Sequence, residues 1–580
     1  MKKLLWSIAL LLAACSPASP PTPSVPAAAV PSAWSRVSAR FIDNYFRTSP
    51  SFAVYSGRHE YDGQIGDLGA DAIKSRDAWL HTARAEIAGV DTAGLTAIEK
   101  LERENLLVAI DSDLFWDEVA EYPFRNPTYY SGAVDPDVYL SRNYAPLGRR
   151  MQAYIAYARN VVAAAASISA NLRTPMPKSY VEYGVAAYGG FADFYRHDVP
   201  GIFAGIQDAD LQQQLKEADE AAAVAMDRLK AWFVAQRKSA TQDFALGKDR
   251  FVQMLAATER VDLPLAQIEA AGRADLARNL AAVKTECATF DPGATPAACI
   301  DKVRAHKAGD NAVVDARAQL AGLKAFIVSH QVLSIPSPVD ALVAEAPPYN
   351  RQNAAFISIP GTYDRGLPSI YNISPPDPKW TAAERAAYVP GKAILLFTSV
   401  HEVWPGHYLQ HLHAQLQPSP VLSLWESTGL SEGWAHYSEQ MMYDMGLGQG
   451  DAETHLGQLE EALLRDVRLI SAIGMHTEGM TQAQSEKLFL TEAFQDPGDA
   501  RQEAARGTYD PSYLVYTLGK LSINKLRDEW VAKQNPGEAD PKAHWHEFHD
   551  RFLSYGGLPV SLIRQHMLGE SEDQSSRSLL

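Results

Sequence analysis

Beyond its amino terminus, the 580-residue sequence contains no apolar run long enough to span a bilayer, which takes about 20 residues. It also contains no cluster of basic residues, and its formal net charge at pH 7 is −16. This charge balance argues against a nucleic acid as the partner. No segment recurs at a fixed period, so the sequence does not predict a solenoid. What remains is an acidic chain with room for a large core.

Cysteine is scarce, with three residues in the whole chain. Two of them, Cys287 and Cys299, lie on either side of an Asp-Pro-Gly segment. In an exported protein these two are expected to form a disulfide, which would stabilise the fold by about 3 kcal/mol on the chain-entropy model. Two free buried thiols are the alternative.

The amino terminus has the composition of an export signal. Lys2 and Lys3 precede an apolar run from Leu4 to Leu12, and two alanines then lead to Cys15. The ending Leu-Ala-Ala-Cys resembles the lipobox of bacterial lipoproteins, in which the cysteine carries the lipid. Residues 1–15 are therefore predicted to be a lipoprotein signal peptide with Cys15 as the lipidation site. An ordinary signal peptide with an incidental cysteine is the alternative.

Residues 16–32 consist almost entirely of Pro, Ala and Ser, which predicts an extended tether rather than a packed segment. Ser16, rather than an aspartate, follows the cysteine. By resemblance to lipoprotein sorting in bacteria with two membranes, this serine favours an anchor in the outer membrane, with the protein facing the periplasm. The lipid would then be its contact with the membrane.

The rest of the chain predicts a mainly helical protein. Residues 33–345 are rich in good helix formers, partly in amphipathic patterns, and proline-containing breaks separate them. Helices are predicted near residues 95–120, 146–172, 208–238, 248–260, 264–284 and 310–330. We predict a single large helical domain over residues 33–570, with a metal-site region at 385–560 and a polar tail at 571–580.

The character of the sequence changes between residues 335 and 375. Residues 354–360 and 369–373 are rich in β-branched and aromatic side chains and are bounded by Pro and Gly, which predicts two strands of a small sheet. A helix from Lys392 to about Val403 follows them. A strand beside that helix could hold an extended peptide by backbone pairing. A purely structural hairpin is the alternative.

The residues with the most specific chemistry lie between 401 and 440. His401, Glu402, His407 and Glu432 are the residue types of a zinc hydrolase, in which imidazoles and a carboxylate hold the metal and another carboxylate transfers protons. We predict that His401, His407 and Glu432 bind one zinc ion per chain. Glu402 is then the base that activates water.

The spacing of the two histidines is irregular. The common HExxH pattern is absent, because Pro405 stands four residues after His401 and the next histidine is His407. Six residues of regular helix turn by about 600°, so these side chains would point about 120° apart and could not share a metal. Pro405 has no N–H to donate within a helix, and Gly406 can adopt backbone angles that other residues avoid. Together they predict a kink or bulge that rotates His407 toward His401.

Two motifs carry a resemblance to a known family. The pattern His-Glu-x-x-Pro-Gly-His-x-x-Gln at 401–410, followed by Glu-Gly-Trp-Ala-x-Tyr-x-Glu at 432–439, resembles a large bacterial family of formerly unknown function. That family is distantly similar to the helical gluzincin peptidases, the group of thimet oligopeptidase and angiotensin-converting enzyme. The resemblance covers most of the mature chain, with specific motifs only from 401 to about 560. It implies a zincin-like helical fold with a deep central channel and one catalytic zinc.

Later segments, at 468–476, 516–520, 548–550 and 556–559, resemble further motifs of the same family. In the related peptidases a tyrosine or histidine opposite the zinc stabilises the oxyanion, so the resemblance implies this role for Tyr516, with His476 as the second candidate. Polar residues of these motifs and of the second predicted strand are candidates for substrate binding: Tyr371, Asn372, Arg468, Lys520 and His549. The strand residues could equally be structural.

Two positions depart from the family pattern. Tyr408 stands where a second consecutive histidine is common, and Ala472 stands where aspartate is common. If that aspartate orients His476 or a substrate amine, Ala472 would change specificity or weaken activity. The four residues of the predicted metal set are all present.

Other ligand sets are compatible with the sequence. His407 and His411 are one helical turn apart, as are Glu432 and His436, so either pair could bind a metal without a bulge. A site without metal is a further alternative.

The sequence thus predicts a lipid-anchored zinc metallopeptidase that hydrolyses short peptides. Glu402 would activate water and later pass a proton to the leaving amine, while Tyr516 would stabilise the oxyanion. A zinc amidohydrolase acting on cell-wall peptides or N-acyl amino acids is one alternative. A non-catalytic lipoprotein that binds peptides is another, and Ala472 is the residue that favours it.

Overall fold

The computed structural model describes residues 32–347, 351, 354–376 and 381–580. The predicted signal peptide with Cys15, and the tether as far as residue 31, lie outside the described residues. Within them the protein is mainly helical with a small three-stranded sheet, which confirms the predicted fold class at this level. None of the helices in these ranges is both long enough and apolar enough to cross a membrane.

The amino-terminal part is built from helices α1 to α14 and short 3-10 turns. Their bounds are α1 Ala33–Thr48, α2 Pro50–Tyr55, α3 Ala70–Ala88, α4 Ala97–Leu114, α5 Tyr122–Arg125, α6 Asp137–Ser141, α7 Leu147–Asn171, α8 Lys178–His197, α9 Val199–Ile202, α10 Ala209–Gln236, α11 Lys248–Glu259, α12 Leu265–Phe290, α13 Pro296–Ala305 and α14 Ala312–Ser329. The helices predicted at 146–172, 208–238 and 248–260 match α7, α10 and α11 closely. The one predicted at 264–284 continues to Phe290, because no helix breaker precedes Asp291-Pro292.

The sheet consists of β1 (Leu342–Glu345), β2 (Ala355–Ser358) and β3 (Ile370–Ile373) in the order β1-β3-β2. The central strand β3 pairs parallel with β1 and antiparallel with β2. Strands β2 and β3 lie where the two strands were predicted. Strand β1 was missed, since it lies at the end of a segment that composition marks as helical and its pairing with β3 is non-local.

Helices α15 to α26 follow the sheet. Their bounds are α15 Ala382–Tyr388, α16 Lys392–Glu402, α17 His407–Ala414, α18 Val421–Leu424, α19 Thr428–Asp444, α20 Ala452–Thr477, α21 Gln482–Thr491, α22 Pro497–Tyr509, α23 Val515–Gln534, α24 Trp545–Leu553, α25 Val560–Leu568 and α26 Glu572–Arg577. The segment predicted as a polar tail, 571–580, contains α26, and its Leu579 is buried.

Glycines let the helices around the candidate site approach closely. A Cβ added to Gly457 of α20 would lie 2.6 Å from the backbone of Ala393 on α16. A Cβ added to Gly433 of α19 would lie 2.7 Å from the Cα of Gly519 on α23. Because such distances are shorter than carbon–carbon contact, only glycine permits these crossings. The crossings place α16 and α19 side by side, with α20 and α23 behind them.

The amino-terminal helices complete the wall of the site. Asn105 of α4 donates hydrogen bonds to the carbonyls of Val421 and Trp425, at 3.2 and 2.9 Å, just before α19 begins. A disulfide joins Cys287 of α12 to Cys299 of α13. Helix α13 packs against α16 and α20, so this cross-link lies in the support of the helix that carries His401.

Candidate metal centre

The chain between the two histidines is broken rather than bulged. Helix α16 ends at Glu402 and α17 begins at His407. Between them the N–H of Gly406 donates to the carbonyl of Val400 at 2.9 Å. The predicted kink or bulge is therefore a complete break between two helices, and the turn rotates His407 toward His401 as expected. The imidazole rings of His401 and His407 lie 4.9 Å apart and perpendicular to each other.

Gly406 is required by this turn. A Cβ at this position would overlap the carbonyl oxygen of His401 and lie 2.6 Å from that of Val400. The carbonyl of the preceding Pro405 accepts a hydrogen bond of 2.9 Å from the indole of Trp434 on α19. The Pro-Gly turn is thus held against the helix that carries Glu432.

Three ligand atoms converge in this arrangement. The Oε2 atom of Glu432 lies 3.4 Å from Nε2 of His401 and 3.5 Å from Nε2 of His407, and all three donors lie within 4.8 Å of one another. Ligands on a tetrahedral zinc with bonds of about 2.0–2.1 Å are about 3.3–3.4 Å apart. Glu432 Oε2 is shielded from solvent and has no hydrogen-bond partner among the described residues. The donor set therefore fits a zinc ion.

The charges around these donors also favour a cation. Burial and the charge of Arg465 would lower the pKa of His401, but the carboxylates of Glu432 and Glu439 outweigh them and raise the pKa to about 9. Burial alone would raise the pKa of Glu432, but the two histidines hold it well below its usual range. Glu432 thus stays ionised between the two imidazoles. The negative charges of Glu432 and Glu439 stabilise a positive charge at this place.

A second layer of contacts orients His401. Its Nδ1 lies 2.7 Å from Oε1 of Glu439, which is completely buried. The same carboxylate contacts Arg465 at 3.3 Å and Nδ1 of His436 at 3.1 Å, and these partners keep its pKa well below the usual range despite burial. Ionised Glu439 holds the Nδ1 proton of His401, so Nε2 is the ring nitrogen that points toward Glu432 and could bind a metal after losing its own proton.

Replacing Glu439 with glutamine is expected to weaken zinc binding by about 10- to 100-fold, because the carboxylate that orients His401 is lost. The measurement is zinc affinity by competition with a fluorescent chelator. Glu461→Gln is the matched control, since Glu461 also pairs with Arg465 but does not touch His401. Equal losses in the two variants would assign the effect to Arg465 rather than to the orientation of His401.

Glu402 lies at the end of α16, partly exposed and next to His401 in the chain. Beneath it, Tyr371 of β3 is completely buried, with its hydroxyl 3.4 Å from Ser399 Oγ. Asn372 donates to Ser358 Oγ and to the carbonyl of Ile370, so its amide serves the sheet. The structure therefore does not present Tyr371 or Asn372 to a ligand, in contrast to their predicted role.

Tyr516 lies beside the metal centre. Its ring is nearly parallel to that of His401, with the centroids 6.4 Å apart. Three guanidinium groups surround the ring at 4.9–5.9 Å, those of Arg465, Arg468 and Arg506. Burial and the charge of Glu432 raise the pKa of Tyr516 to about 12, so its hydroxyl keeps the proton that it could donate.

Four other predicted residues are engaged by protein groups. His476 is buried, with Nδ1 accepting from the N–H of Leu246 and Nε2 facing the carbonyl of Gly507. His549 lies between the Tyr437 hydroxyl and the carbonyl of Val332. Both ring nitrogens of each histidine are therefore hydrogen-bonded to protein groups, and neither imidazole is among the three candidate ligands.

The two cationic candidates are also paired. Lys520 is buried in an ion pair with Asp275, and Arg468 forms a bidentate pair with Glu503 at 2.7 Å.

The positions that departed from the family pattern have local explanations. Tyr408 donates its hydroxyl to the carbonyl of Val339, away from the three ligand atoms. Ala472 is buried in α20, and His476 finds its two partners without a polar side chain at position 472.

The alternative metal ligands lie apart from the three donors. His411 Nε2 contacts Gln415, and burial together with Arg142 lowers the pKa of His411 to about 4. His436 is completely buried against Glu439. In the described ranges, the group that could hold a metal is His401, His407 and Glu432.

The sequence predicted no role for two residues that contribute to the site, Glu439 and Arg465. Glu439 stands seven residues, or two turns, after Glu432, so the period of the helix places both on one face of α19. That spacing was a usable signal. Arg465 lies on α20, and its contact with Glu439 arises only from helix packing.

The chain matches, over residues 50–567, the family described as "Bacterial protein of unknown function (DUF885)". A proposed lipoprotein of unknown function from Shewanella oneidensis is 25% identical, with a TM-score of 0.76, over 93% of this chain and 100% of that one. A proposed lipoprotein from Colwellia psychrerythraea is 18% identical, with a TM-score of 0.78, over 93% and 99%. No curated protein matches the chain. The bacterial family resemblance is thus confirmed.

Proposed function

We propose that this chain, which belongs to the DUF885 family, is a zinc-dependent metallopeptidase that hydrolyses short peptides. The observation that carries the proposal is the convergence of His401, His407 and Glu432 around an unpartnered carboxylate oxygen, with Glu402 adjacent in the chain. Two imidazoles and one carboxylate are the ligand set of a catalytic zinc, which keeps a further position open.

A zinc ion bound there would act as a Lewis acid on a carbonyl and lower the pKa of water. Glu402 would accept a proton from the attacking water and pass it to the leaving amine. Tyr516 keeps its proton and lies beside His401, so it can donate a hydrogen bond to the developing oxyanion. The three arginines around its ring are each paired with a carboxylate as well, so they hold the ring in place.

The proposed fold relationship is with the helical zincins, with the metal centre inside a central channel. The surroundings of the metal centre support an enclosed but wet site. Glu432 and His407 retain 24% and 16% side-chain exposure although helices surround them. Enclosure raises the pKa of nearby Glu426 to about 7, yet its side chain still reaches solvent. A channel at this position would admit an extended peptide and exclude a folded protein.

We place the protein in the bacterial envelope, held by a lipid on Cys15 in the outer membrane and facing the periplasm. The lipobox-like segment at 12–15 and the lipoprotein description of the two structural relatives support this location. Proteins of this compartment form disulfides, and Cys287 and Cys299 are joined.

Metal content tests the proposal directly. Protein purified without its first 15 residues is expected to carry about one zinc per chain by inductively coupled plasma mass spectrometry. His407→Ala should lose the zinc, because it removes one of three donors. His411→Ala, one turn further along α17, is the matched control and should keep it.

A parent protein that binds no zinc after reconstitution would exclude the metallopeptidase and leave a peptide-binding lipoprotein. Loss of zinc from His411→Ala but not from His407→Ala would move the site. If zinc is present, chelation should abolish hydrolysis of a peptide library and added zinc should restore it. A zinc protein that cleaves N-acyl amino acids but no peptide would be an amidohydrolase instead.

A further inference from the structure

A cavity of about 270 Å³ lies along strand β2, outside the metal centre described above. One wall consists of residues 356–359, at the edge of the sheet, where β3 is the strand that pairs with β2 among the described residues. The opposite wall comes from the amino-terminal half and contains Asp135, Asp137 and Arg142. The cavity therefore has an apolar strand on one side and charged side chains on the other.

The cavity adjoins the elements that carry the metal ligands. Strand β2 packs against α16, and its partner β3 places Tyr371 against Ser399, two residues before His401. On the other wall, the charge of Arg142 lowers the pKa of His411, which lies one turn after His407 on α17. A peptide lying along β2 would therefore lie beside α16, the helix that carries His401.

Arg142 has an unused hydrogen-bonding edge. Its side chain is 7% exposed, and Tyr55 covers one face of the guanidinium at 4.5 Å. Its hydrogen bonds to described residues leave from Nη1, at 2.6 Å to the Tyr55 carbonyl and 3.4 Å to Asp364 Oδ2. Nε is buried and has no partner among these residues. An Nε–Nη2 edge is one of the two edges by which arginine binds a carboxylate bidentately.

The ion pair of Arg142 with Asp364 is long, at 3.4 Å, and the carboxylate is shared. Asp364 is shared with His59, whose Nε2 lies 2.8 Å from Oδ1, while Nδ1 of His59 contacts Asp62 at 3.1 Å. By comparison, Arg76 in the other large cavity binds Asp113 and Asp117 at 2.5 and 2.7 Å through both Nη atoms. The Nε of Arg76 is also buried without a partner among the described residues, but carboxylates hold both of its Nη atoms, whereas both hydrogen bonds of Arg142 leave from Nη1.

We infer that the Arg142 cavity binds the free carboxyl terminus of the peptide, so that the proposed enzyme acts on peptides from their carboxyl end. This inference rests on the proposed function. Asp135 and Asp137 line the same cavity and would repel a second carboxylate. Every peptide with a free terminus carries a carboxylate there, so the contact with Arg142 is assigned to the terminal carboxylate, and a basic or neutral terminal side chain is expected to be preferred over an acidic one.

The test uses pairs of peptides that are identical except for a free or amidated carboxyl terminus, ending in Lys, Ala or Glu. The unaltered protein is expected to cleave the free acids with a kcat/KM at least about tenfold higher than the amides, mainly through a lower KM. Arg142→Gln should lower kcat/KM for the acids by about 10- to 100-fold and leave the amides unchanged, since one charge-assisted contact is lost. Arg142→Lys should be intermediate.

Arg149→Gln, an exposed arginine nearby in the chain, is the control and should change neither substrate. Asp135→Asn should reduce the preference for Lys over Glu at the terminus. Equal cleavage of acids and amides by the unaltered protein would overturn the inference, and this comparison remains decisive if Arg142→Gln does not fold. Equal losses of kcat/KM for free acids and amides in Arg142→Gln would also overturn the inference.

Binding measured by calorimetry on Glu402→Gln protein separates this inference from the proposed function. If no peptide is hydrolysed but free acids still bind more tightly than amides, and Arg142→Gln removes the difference, the cavity assignment stands without the peptidase. If peptides are hydrolysed with no dependence on the terminus, the peptidase stands and the cavity assignment fails.

Discussion

Glu402→Gln is expected to reduce kcat for peptide hydrolysis by about 100- to 10,000-fold while leaving zinc content and thermal stability unchanged. The glutamine amide cannot accept the proton of the attacking water, which removes general base catalysis. It is nearly isosteric with the carboxylate, and Glu402 is not among the three ligand atoms of the metal centre. The measurement is steady-state kinetics on a fluorogenic peptide, with zinc content determined on the same sample.

Glu478→Gln, an exposed glutamate at the end of α20, controls for the loss of one negative charge and should keep full activity. Activity retained by Glu402→Gln would remove Glu402 from the mechanism. Zinc lost together with activity would show that Glu402 acts through the metal ligands, and the kinetic result could then not be assigned to proton transfer.

Gly406→Ala, which adds a single methyl group, is expected to disrupt the candidate metal centre more than a glycine-to-alanine change at any other described position. The added Cβ would overlap the carbonyl of His401, which is backbone and cannot turn aside as a flexible side chain can. The turn between α16 and α17 must then open, moving His407 away from His401. We expect a loss of about 3 kcal/mol or more in the free energy of unfolding and a zinc content well below one per chain.

Thermal denaturation and metal analysis on the same preparation measure both effects. Gly190→Ala is the matched control, because a Cβ at this helical position meets no atom within 4 Å and should be neutral or slightly stabilising. A Gly406→Ala protein with normal zinc and normal stability would show that the Pro-Gly turn has another low-energy form. The close Pro-Gly turn would then not be what brings His401 and His407 together.

The helical fold could be predicted because its signals are local. Helices α7, α10 and α11 follow runs of Ala, Leu, Gln and charged residues between proline breaks, and their bounds match the prediction closely. Strands β2 and β3 were also found from their β-branched and aromatic residues. Strand β1 was not, because Leu342–Glu345 becomes a strand only by pairing with residues about 28 positions later in the chain.

In the candidate site, too, local features could be predicted and contacts between distant segments could not. Residue types and the family resemblance favoured His401, Glu402, His407 and Glu432, while sets with His411 or His436 remained compatible with the sequence. Spacing alone placed the two histidines on different helix faces, and Pro405-Gly406 indicated where the helix must depart from regularity. The form of that departure, a complete break held by Trp434, depends on a contact with α19.

Three motif residues that were candidates for the site are bound by other protein groups, and the reason is the same for each. His476, His549 and Lys520 belong to segments that resemble functional motifs, and their chemistry suits a site. Each is instead satisfied by partners that are distant in sequence: Leu246 and Gly507, Val332 and Tyr437, and Asp275. Residue type states what a side chain can bind, but not which partner lies beside it.

By itself, the sequence determined the helix-forming segments, the two strands, the ligand types and the position of the irregular turn, since these depend on side-chain chemistry and on neighbours a few residues away. Only the tertiary structure decided that His401 and His407 face one carboxylate, that Glu439 and Arg465 orient His401 from behind, and that Arg142 lines a cavity along β2. The physical reason is that each of these contacts joins helices or strands that are far apart in the chain. Their distances are set by packing, through close approaches such as Gly433 on Gly519, and packing has no local sequence code.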